Sequence, residues 1–213
     1  MILYGVPLSP FVRKTMFMLY ELDLSFEQEM IAPQGDDAAF RAASPLGRIP
    51  GFVDGDITLS DSSAICHYLA RRHDSRLIDC NDPLTLARVI GFDKYADEDL
   101  APAVFEPLIE RVVKQVRFGE AADEATVAAA VEEKMPPVFD TLNRRLDESD
   151  GDWFVGRDFS FADIALGAHM ANLPLAGVEL DINRWPALGR WCGRLSERPA
   201  FKRMYEAART FGG

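Results

Sequence analysis

The amino-terminal part of this 213-residue chain alternates short strand-like runs with helical patterns, whereas the rest of the chain carries helical patterns only. Residues 2–6 are apolar and β-prone, and residues 26–30 alternate polar and apolar side chains as a half-buried strand does. Residues 52–59 contain two further apolar runs around Asp54-Gly55, a dipeptide typical of a two-residue hairpin turn. Helical spacing separates these runs, so we predict the order β-α-β-α-β-β-α.

In the remainder of the chain, apolar side chains recur at helical spacing and no convincing strand pattern is found. The helical stripes cover residues 90–116, 125–146, 161–171 and 186–195. Within the second stripe, Pro136-Pro137 must kink or restart the helix, because proline lacks the N–H that a helix interior needs. The polar residues 74–83 are interpreted as a linker. The predicted fold class is therefore α+β, with a mixed domain at residues 1–76 and an all-helical domain at residues 84–213.

Composition and charge exclude several classes of function. The formal net charge is −11, which makes nucleic acid a poor partner because phosphate binding needs clustered lysine and arginine. With 48% hydrophobic and 27% charged residues, the chain is typical of a soluble globular protein. No leader pattern precedes the first strand, and the most apolar stretch, residues 164–178, is too short to span a bilayer. We expect a cytoplasmic protein without a membrane partner.

The cysteines and histidines show neither a disulfide framework nor a metal site. These residues are Cys66, Cys80, Cys192, His67, His73 and His169. The cysteines are odd in number, widely spaced and without a Cys-x-x-Cys pattern, which favours reduced thiols in the cytoplasm. The histidines lack metal-ligand spacing with the cysteines, so no metal is predicted.

Two predicted helix starts carry polar residues with a defined role. Ser9 follows the first strand and is a natural N-cap, with Pro10 in the preferred first helical position. A helix start presents unpaired N–H groups and partial positive charge, so the Ser9 hydroxyl faces a ready anion site. Ser160 and Asp163 have the spacing of a capping box ahead of an apolar run, and this pair is predicted to start a buried helix.

Four stretches of the chain, taken together and in order, resemble the soluble glutathione transferases of the cytosol. Residues 9–14 resemble the Ser-Pro-Phe start of the serine-type members, and residues 45–50 resemble the family's loop that ends in a cis-proline. Residues 59–65 resemble the family's Glu/Gln-Ser-x-Ala-Ile motif, with Asp61 where Glu or Gln is commoner. Residues 160–165 resemble the helix cap that nucleates the second domain, so the resemblance spans nearly the whole chain.

The resemblance implies a detoxifying glutathione transferase, a cytoplasmic homodimer whose acceptor is small, electrophilic and largely apolar. The amino-terminal domain would be thioredoxin-like and bind glutathione, and the helical domain would contribute the acceptor pocket. Dithiol exchange would need a cysteine where Ser9 stands, and a serine nucleophile would need a base that the local pattern lacks. Ser9 is therefore implied to donate a hydrogen bond to the bound thiolate, the alternative being a plain N-cap.

The resemblance also implies the remaining glutathione contacts. Together with Ser9 they are Phe11, Gln34, Arg48, Ile49, Pro50, Asp61 and Ser62. A cis bond before Pro50 would turn the backbone of Ile49 towards the cysteinyl main chain, as in an added strand. Ser62 would hold the α-carboxylate of the γ-glutamyl group and Asp61 its ammonium group, although the two could simply cap a helix.

The acceptor pocket is expected between the two domains. Its candidate residues are Leu8, Phe11, Tyr95, Phe105, Leu108, Val112 and Phe211. Aromatic and aliphatic side chains at helical spacing are more often core than pocket. Gln34 and Arg48 are candidates for the glycine carboxylate, with a solvated loop charge as the alternative for Arg48. Arg13 and Lys14 are expected to be exposed helix charges.

Two other kinds of function fit the same residues. One keeps the site but changes the reaction to glutathione-dependent isomerisation, dehalogenation or peroxide reduction. The other is a non-catalytic binding protein that retains the fold without turnover. The shape of the acceptor pocket separates the enzyme alternatives, and the sequence does not define it.

Overall fold

A computed structural model describes residues 1–78 and 82–212 and confirms the order β-α-β-α-β-β-α. The elements are β1 (Ile2–Tyr4), α1 (Pro10–Glu21), β2 (Glu27–Glu29), α2 (Ala38–Ala43), β3 (Gly51–Asp54), β4 (Ile57–Ser60) and α3 (Ser62–Arg72). The strands form one sheet in the order β2-β1-β3-β4. β1 runs parallel to β2 and antiparallel to β3, and β4 is antiparallel to β3, as in a thioredoxin-like domain.

The hairpin turn lies one residue later than the sequence indicates. Asp54 pairs with Ile57 in the β3–β4 ladder, so the two-residue turn is Gly55-Asp56 and not Asp54-Gly55. Gly55 has φ +59°, the conformation that the first position of such a turn requires. Asp54 instead belongs to the strand, where its carboxylate accepts a hydrogen bond from the Tyr68 hydroxyl at 2.8 Å.

The second unit is helical in the part of the chain that the structure describes. Its α-helices are α4 (Pro83–Tyr95), α5 (Ala101–Leu108), α6 (Lys114–Phe118), α7 (Glu124–Ala129), α8 (Met135–Asp147), α9 (Phe161–Met170), α10 (Asn172–Leu175), α11 (Pro186–Glu197) and α12 (Pro199–Gly212). Three π-helical turns join helices end to end: Ala96–Leu100, Ile109–Val113 and Ala130–Lys134. Pro136-Pro137 lies in the first turn of α8, directly after the π-helical turn Ala130–Lys134.

Helix α1 connects the two units. It packs on α3 of the first unit and on α9 and α12 of the second. Val12, Met16 and Leu19, which recur at helical spacing in α1, are fully buried. Arg13 and Lys14 are fully buried as well, so the expectation of exposed charges is wrong: a helix enclosed by three others has no face left for water. The boundaries 1–76 and 84–213 stay a prediction.

Helix α9 begins at the predicted capping box. Asp163 accepts hydrogen bonds from the backbone N–H of Ser160 at 3.0 Å, from that of Phe154 at 3.2 Å and from Trp191 Nε1 at 2.8 Å. Every residue of α9 is buried, which confirms the predicted buried helix. Within the described ranges, no helix is both long and apolar enough to cross a membrane.

The described cysteines are unpaired. Cys66 and Cys192 are free thiols, and burial raises the pKa of both, that of Cys192 to about 12. A thiol with so high a pKa stays protonated and is a poor nucleophile at neutral pH. Cys80 and part of the predicted linker at residues 74–83 lie outside the described residues.

Candidate functional site

A cleft of about 910 Å³ lies between the loops at one end of the sheet and the helices of the second unit. Most of the predicted site residues line it, namely Leu8, Ser9, Phe11, Arg48, Ile49, Pro50, Asp61, Ser62, Phe105 and Phe211. Its helical wall also includes residues that were not predicted, namely Ile109, Val113, Val116 and Arg117. The structure thus brings residues that are far apart in sequence to one surface.

Ser9 is the N-cap of α1 and lines the cleft. Its Oγ accepts a hydrogen bond from the Val12 N–H at 3.4 Å, and its own N–H donates to the Val6 carbonyl at 3.0 Å. The cap contact uses the hydroxyl oxygen as an acceptor, and no acceptor for the hydroxyl hydrogen is found among the described residues. The hydroxyl can therefore donate to a group bound in the cleft.

Arg13 fixes the backbone that leads into Ser9. Its guanidinium donates to the carbonyls of Pro7 at 3.1 Å and Leu8 at 2.9 Å, and reaches Ala168 O and Asn172 Oδ1 on the helical side. Burial lowers the pKa of Arg13 to about 9, so the side chain remains a cation at neutral pH. Arg13 therefore links the loop before the Ser9 N-cap to the second unit by hydrogen bonds.

A buried ionic network lies next to Arg13. Lys14 Nζ is 2.8 Å from Asp93 Oδ1 and 2.8 Å from Asp97 Oδ2, and it donates to Ser63 Oγ at 3.0 Å. His169 Nε2 is 3.0 Å from Asp97 Oδ1, and because it faces a carboxylate this nitrogen carries the proton. The network joins helices of both units beneath the cleft.

The charge states of the network follow from burial and pairing. Burial alone would lower the pKa of Lys14, but Asp93 and Asp97 outweigh it and raise that pKa above its ordinary value. Burial alone would raise the pKa of Asp97, yet the His169 hydrogen bond and the Lys14 charge hold it below its ordinary value. Burial lowers the pKa of His169, so its imidazole is neutral at neutral pH. The His169 ring meets the Phe11 ring edge-on, with centroids 5.3 Å apart.

The loop before β3 has the geometry that the resemblance implies. The Ile49–Pro50 peptide bond is cis, and both residues line the cleft. Ser44 Oγ donates to the Arg48 carbonyl at 2.6 Å, which fixes the loop next to that bond. No hydrogen bond to the Ile49 backbone is found in the described part of the chain, so its N–H and C=O are open to a ligand.

The start of α3 forms the third part of the site. Asp61 is its N-cap, with the carboxylate accepting from the Ala64 N–H at 3.0 Å. Asp61 has φ +88°, a conformation that costs free energy in a residue with a side chain and is found mostly at functional sites. Ser62 is buried at the first position of the helix, where the unpaired N–H groups face the cleft.

Four predicted residues lie elsewhere. Gln34 is exposed outside the cleft, where its Nε2 donates to the Leu46 carbonyl at 2.9 Å. Tyr95 lines a different cavity and donates to the Val138 carbonyl at 3.3 Å, and Leu108 is fully buried in the core. Val112 does not line the cleft and instead faces α12. A Cβ atom added at Gly212 of that helix would be 3.0 Å from Val112 Cγ1.

The helical wall of the cleft uses a different face of α5 and of the following π-helical turn from the one that the sequence predicts. Residues 104–113 are mostly apolar, so Phe105 begins two stripes of equal quality. The predicted stripe continues through Leu108 and Val112, whereas the observed one continues through Ile109 and Val113. Leu108 is fully buried, so packing of the core decides which stripe faces the cleft. The sequence offers no signal that separates the two faces, because the side chains of both stripes are aliphatic.

No group of three His, Cys, Asp or Glu side chains that could hold a metal ion is found within residues 1–78 and 82–212. The cleft instead offers hydroxyl, backbone and guanidinium donors next to apolar side chains. Such a surface suits a polar peptide-like ligand beside an apolar one.

Comparison with known proteins identifies the family. The glutathione S-transferase N-terminal domain matches residues 3–77, and the glutathione S-transferase C-terminal domain matches residues 108–208. The chain is 30% identical over 209 residues to a glutathione S-transferase of Hyoscyamus muticus, covering 96% of this chain and 97% of that protein. It is 30% identical to glutathione S-transferase GstB of Escherichia coli K12, covering 95% and 96% of the two chains.

A solved structure agrees with these relatives. The crystal structure of glutathione transferase F7 from Populus trichocarpa superposes with a TM-score of 0.83 at 27% identity, covering 97% of this chain and 98% of that one. The fold and the full-length sequence likeness thus lead to the same conclusion. The chain belongs to the glutathione S-transferase family and is a glutathione transferase.

Proposed function

We propose that the Ser9 hydroxyl donates a hydrogen bond to the thiolate of bound glutathione and so keeps the sulfur ionised for attack. The observation that carries this proposal is the position of Ser9, whose hydroxyl hydrogen has no acceptor among the described residues and which lines the cleft at the start of α1. The sulfur would form a bond to an electrophilic carbon of the acceptor, whose leaving group departs with the electron pair.

A hydrogen bond from Ser9 is strong enough to raise the thiolate fraction of bound glutathione substantially at neutral pH. A free thiol has a pKa of about 8.5, so only a few per cent is thiolate at neutral pH. A hydrogen bond to a charged group contributes about 1.5–3 kcal/mol, which lowers the thiol pKa by about one to two. The helix start adds about 0.3–1 kcal/mol, so the hydroxyl is the larger of the two effects.

The rest of the tripeptide would use the other parts of the site. The open N–H and C=O of Ile49 would pair with the cysteinyl main chain. Ser62, at the start of α3, would hold the γ-glutamyl carboxylate, and Asp61 would hold its ammonium group. Arg48 would bind the glycine carboxylate, with Gln34 as a more remote candidate because it lies outside the cleft.

The acceptor side of the proposal is an apolar electrophile. Phe11, Phe105, Ile109, Val113 and Phe211 line the cleft beside Ser9 and would contact its apolar part. Isomerisation, dehalogenation or peroxide reduction would use the same thiolate, and a screen of acceptors separates these reactions from conjugation. Detoxification in the cytoplasm is the role that the family likeness favours.

The experiment compares wild type, Ser9→Ala and Ser9→Thr. Ser9→Ala removes the donor, so the pKa of the bound glutathione thiol should rise by about one to two and kcat/KM at neutral pH should fall about 10- to 100-fold. Ser9→Thr keeps both the hydroxyl and the N-cap and should retain most of the activity. The measurements are thiolate absorbance of the bound glutathione against pH, and conjugation of an aryl halide. An unchanged thiol pKa in Ser9→Ala would refute the donor role.

A further inference from the structure

Arg117 lines the cleft from the helical side without an acidic partner. It is exposed near the end of α6, and its guanidinium lies 5.4 Å from the centre of the Phe118 ring. Its neighbours along the helix are paired, since Arg111 contacts Glu124 at 2.7 Å and Lys114 contacts Glu110 at 2.6 Å. No carboxylate within the described residues lies within ion-pair distance of Arg117.

The charge of the cleft is opposite in sign to that of the molecule. The chain carries a formal net charge of −11, yet the charged side chains that line the cleft are Arg48, Arg117 and Asp61. In the proposed binding mode, Asp61 binds the ammonium group of glutathione and Arg48 binds its glycine carboxylate. The γ-glutamyl carboxylate binds at the start of α3. Arg117 is then the cation that glutathione leaves unused.

Apolar side chains line the same wall of the cleft as this cation. Ile109, Val113 and Val116 lie on the same helical wall, and Phe105 precedes them. A ligand that covers this wall would place its polar end at the guanidinium, which binds carboxylates through two parallel hydrogen bonds. A neutral apolar ligand would cover the wall and leave the cation without a partner.

We propose that the acceptor is an apolar electrophile carrying a carboxylate or a similar anionic group, and that Arg117 binds this group. The proposal rests on the proposed glutathione conjugation and names the acceptor class for the same cleft. Because Arg117 is exposed to water, the pairing should favour the anionic acceptor about 2- to 5-fold in kcat/KM. The preference should weaken as salt increases.

The test uses two aryl halides of closely similar shape, the anionic 4-chloro-3-nitrobenzoate and the neutral 4-chloro-3-nitrobenzamide. Each kcat/KM is divided by the uncatalysed rate with glutathione, which removes the difference in ring reactivity. Arg117→Gln should lower the benzoate value about 2- to 5-fold and leave the benzamide value and the KM for glutathione unchanged. Arg157→Gln is the matched control, because Arg157 is exposed and lies outside the cleft.

The outcomes separate this inference from the proposed function. Turnover of both acceptors with equal loss in Arg117→Gln, or with no loss, would overturn the inference and leave conjugation established. If the wild type turns over neither acceptor, the proposed function and the inference are both overturned. A benzoate preference that disappears in Arg117→Gln and persists in Arg157→Gln would support it.

Discussion

At the scale of single residues, Arg13 and Lys14 are consecutive in α1 and both fully buried, which charged side chains rarely are unless they are paired. The two buried charges are stabilised in different ways. Lys14 is paired with the carboxylates of Asp93 and Asp97. Arg13 is surrounded by neutral oxygens, two of which belong to the backbone just before Ser9. Arg13 therefore acts on the proposed donor through the loop and is a positioning residue.

The variant Arg13→Lys should separate this positioning from charge. Lysine keeps the positive charge but lacks the planar fork that reaches several carbonyls at once. We expect the pKa of the bound glutathione thiol to rise and kcat to fall about 10-fold, because the loop before Ser9 loses a fixed partner. The measurements are thiolate absorbance against pH and the separate values of kcat and KM.

Arg71→Lys, at an exposed position on α3, is the control and should behave as the wild type. A folded Arg13→Lys protein with the wild-type thiol titration would contradict the positioning role. Circular dichroism establishes that both variants are folded before they are compared.

At the scale of secondary-structure elements, one ionic network joins four segments. Lys14 comes from α1, Asp93 from α4, Asp97 from the π-helical turn Ala96–Leu100 and His169 from α9. His169 is buried and neutral, and its Nδ1 has no hydrogen-bond partner among the residues that the structure describes. A proton added to this ring would place a further charge beside Lys14 and Arg13, so the folded state disfavours it.

Stability should therefore fall as the pH drops below about 6.5, the pKa of histidine in an unfolded chain. The unfolded chain takes up a proton that folded His169 does not, because burial lowers its folded pKa. Each unmatched proton reduces the free energy of unfolding by up to about 1.4 kcal/mol per pH unit. Asp97, whose folded pKa is lowered, contributes stability that is present above about pH 4 and lost below it.

His169→Gln should reduce the pH dependence by about one proton between pH 6.5 and 5, since glutamine still donates to Asp97 but does not titrate. Urea unfolding at a series of pH values measures the slope, with exposed His73→Gln as the control. A slope in His169→Gln equal to that of the wild type would show that His169 is not the group responsible.

The sequence predicts elements better than it predicts helical faces. The strands and the first three helices follow from apolar spacing and turn residues, since each segment has one clear pattern. Residues 104–113 carry two overlapping stripes of equal apolar character, and tertiary packing alone decides which of them is buried in the core. Helix α12 was not predicted, because its buried face consists largely of small residues such as Ala200 and Ala208. The site motifs around Ser9, Pro50 and Ser62 were found because their residue types and order are specific.

At the scale of the whole molecule, large apolar side chains remain exposed outside the cleft. Ile57 on β4 is 42% exposed, and Leu84 and Ile90 on α4 are 58% and 41% exposed. In the arrangement that the family resemblance implies, the first unit of one subunit packs on the second unit of its partner. These residues come from both units and would supply the apolar part of such an interface.

The protein should therefore sediment as a homodimer. Ile90→Glu, which would place a charge in the interface, should yield monomer at the same concentration, and Ile182→Glu, at another exposed apolar position, should remain dimeric. Analytical ultracentrifugation at several concentrations distinguishes the two states. A wild-type protein with the mass of one chain would contradict the expected assembly.

The enclosure of α1 has a consequence for any attempt to divide or recombine this chain. A fragment ending at residue 78 would contain the complete sheet, yet Lys14 would lose both aspartates and Arg13 would lose Ala168 and Asn172. Two desolvated cations would then have to return to water, opening the helix that holds Ser9. A chimera that exchanges the carboxy-terminal halves of two relatives would keep a working first half only if the donor supplied matching oxygens at these four positions.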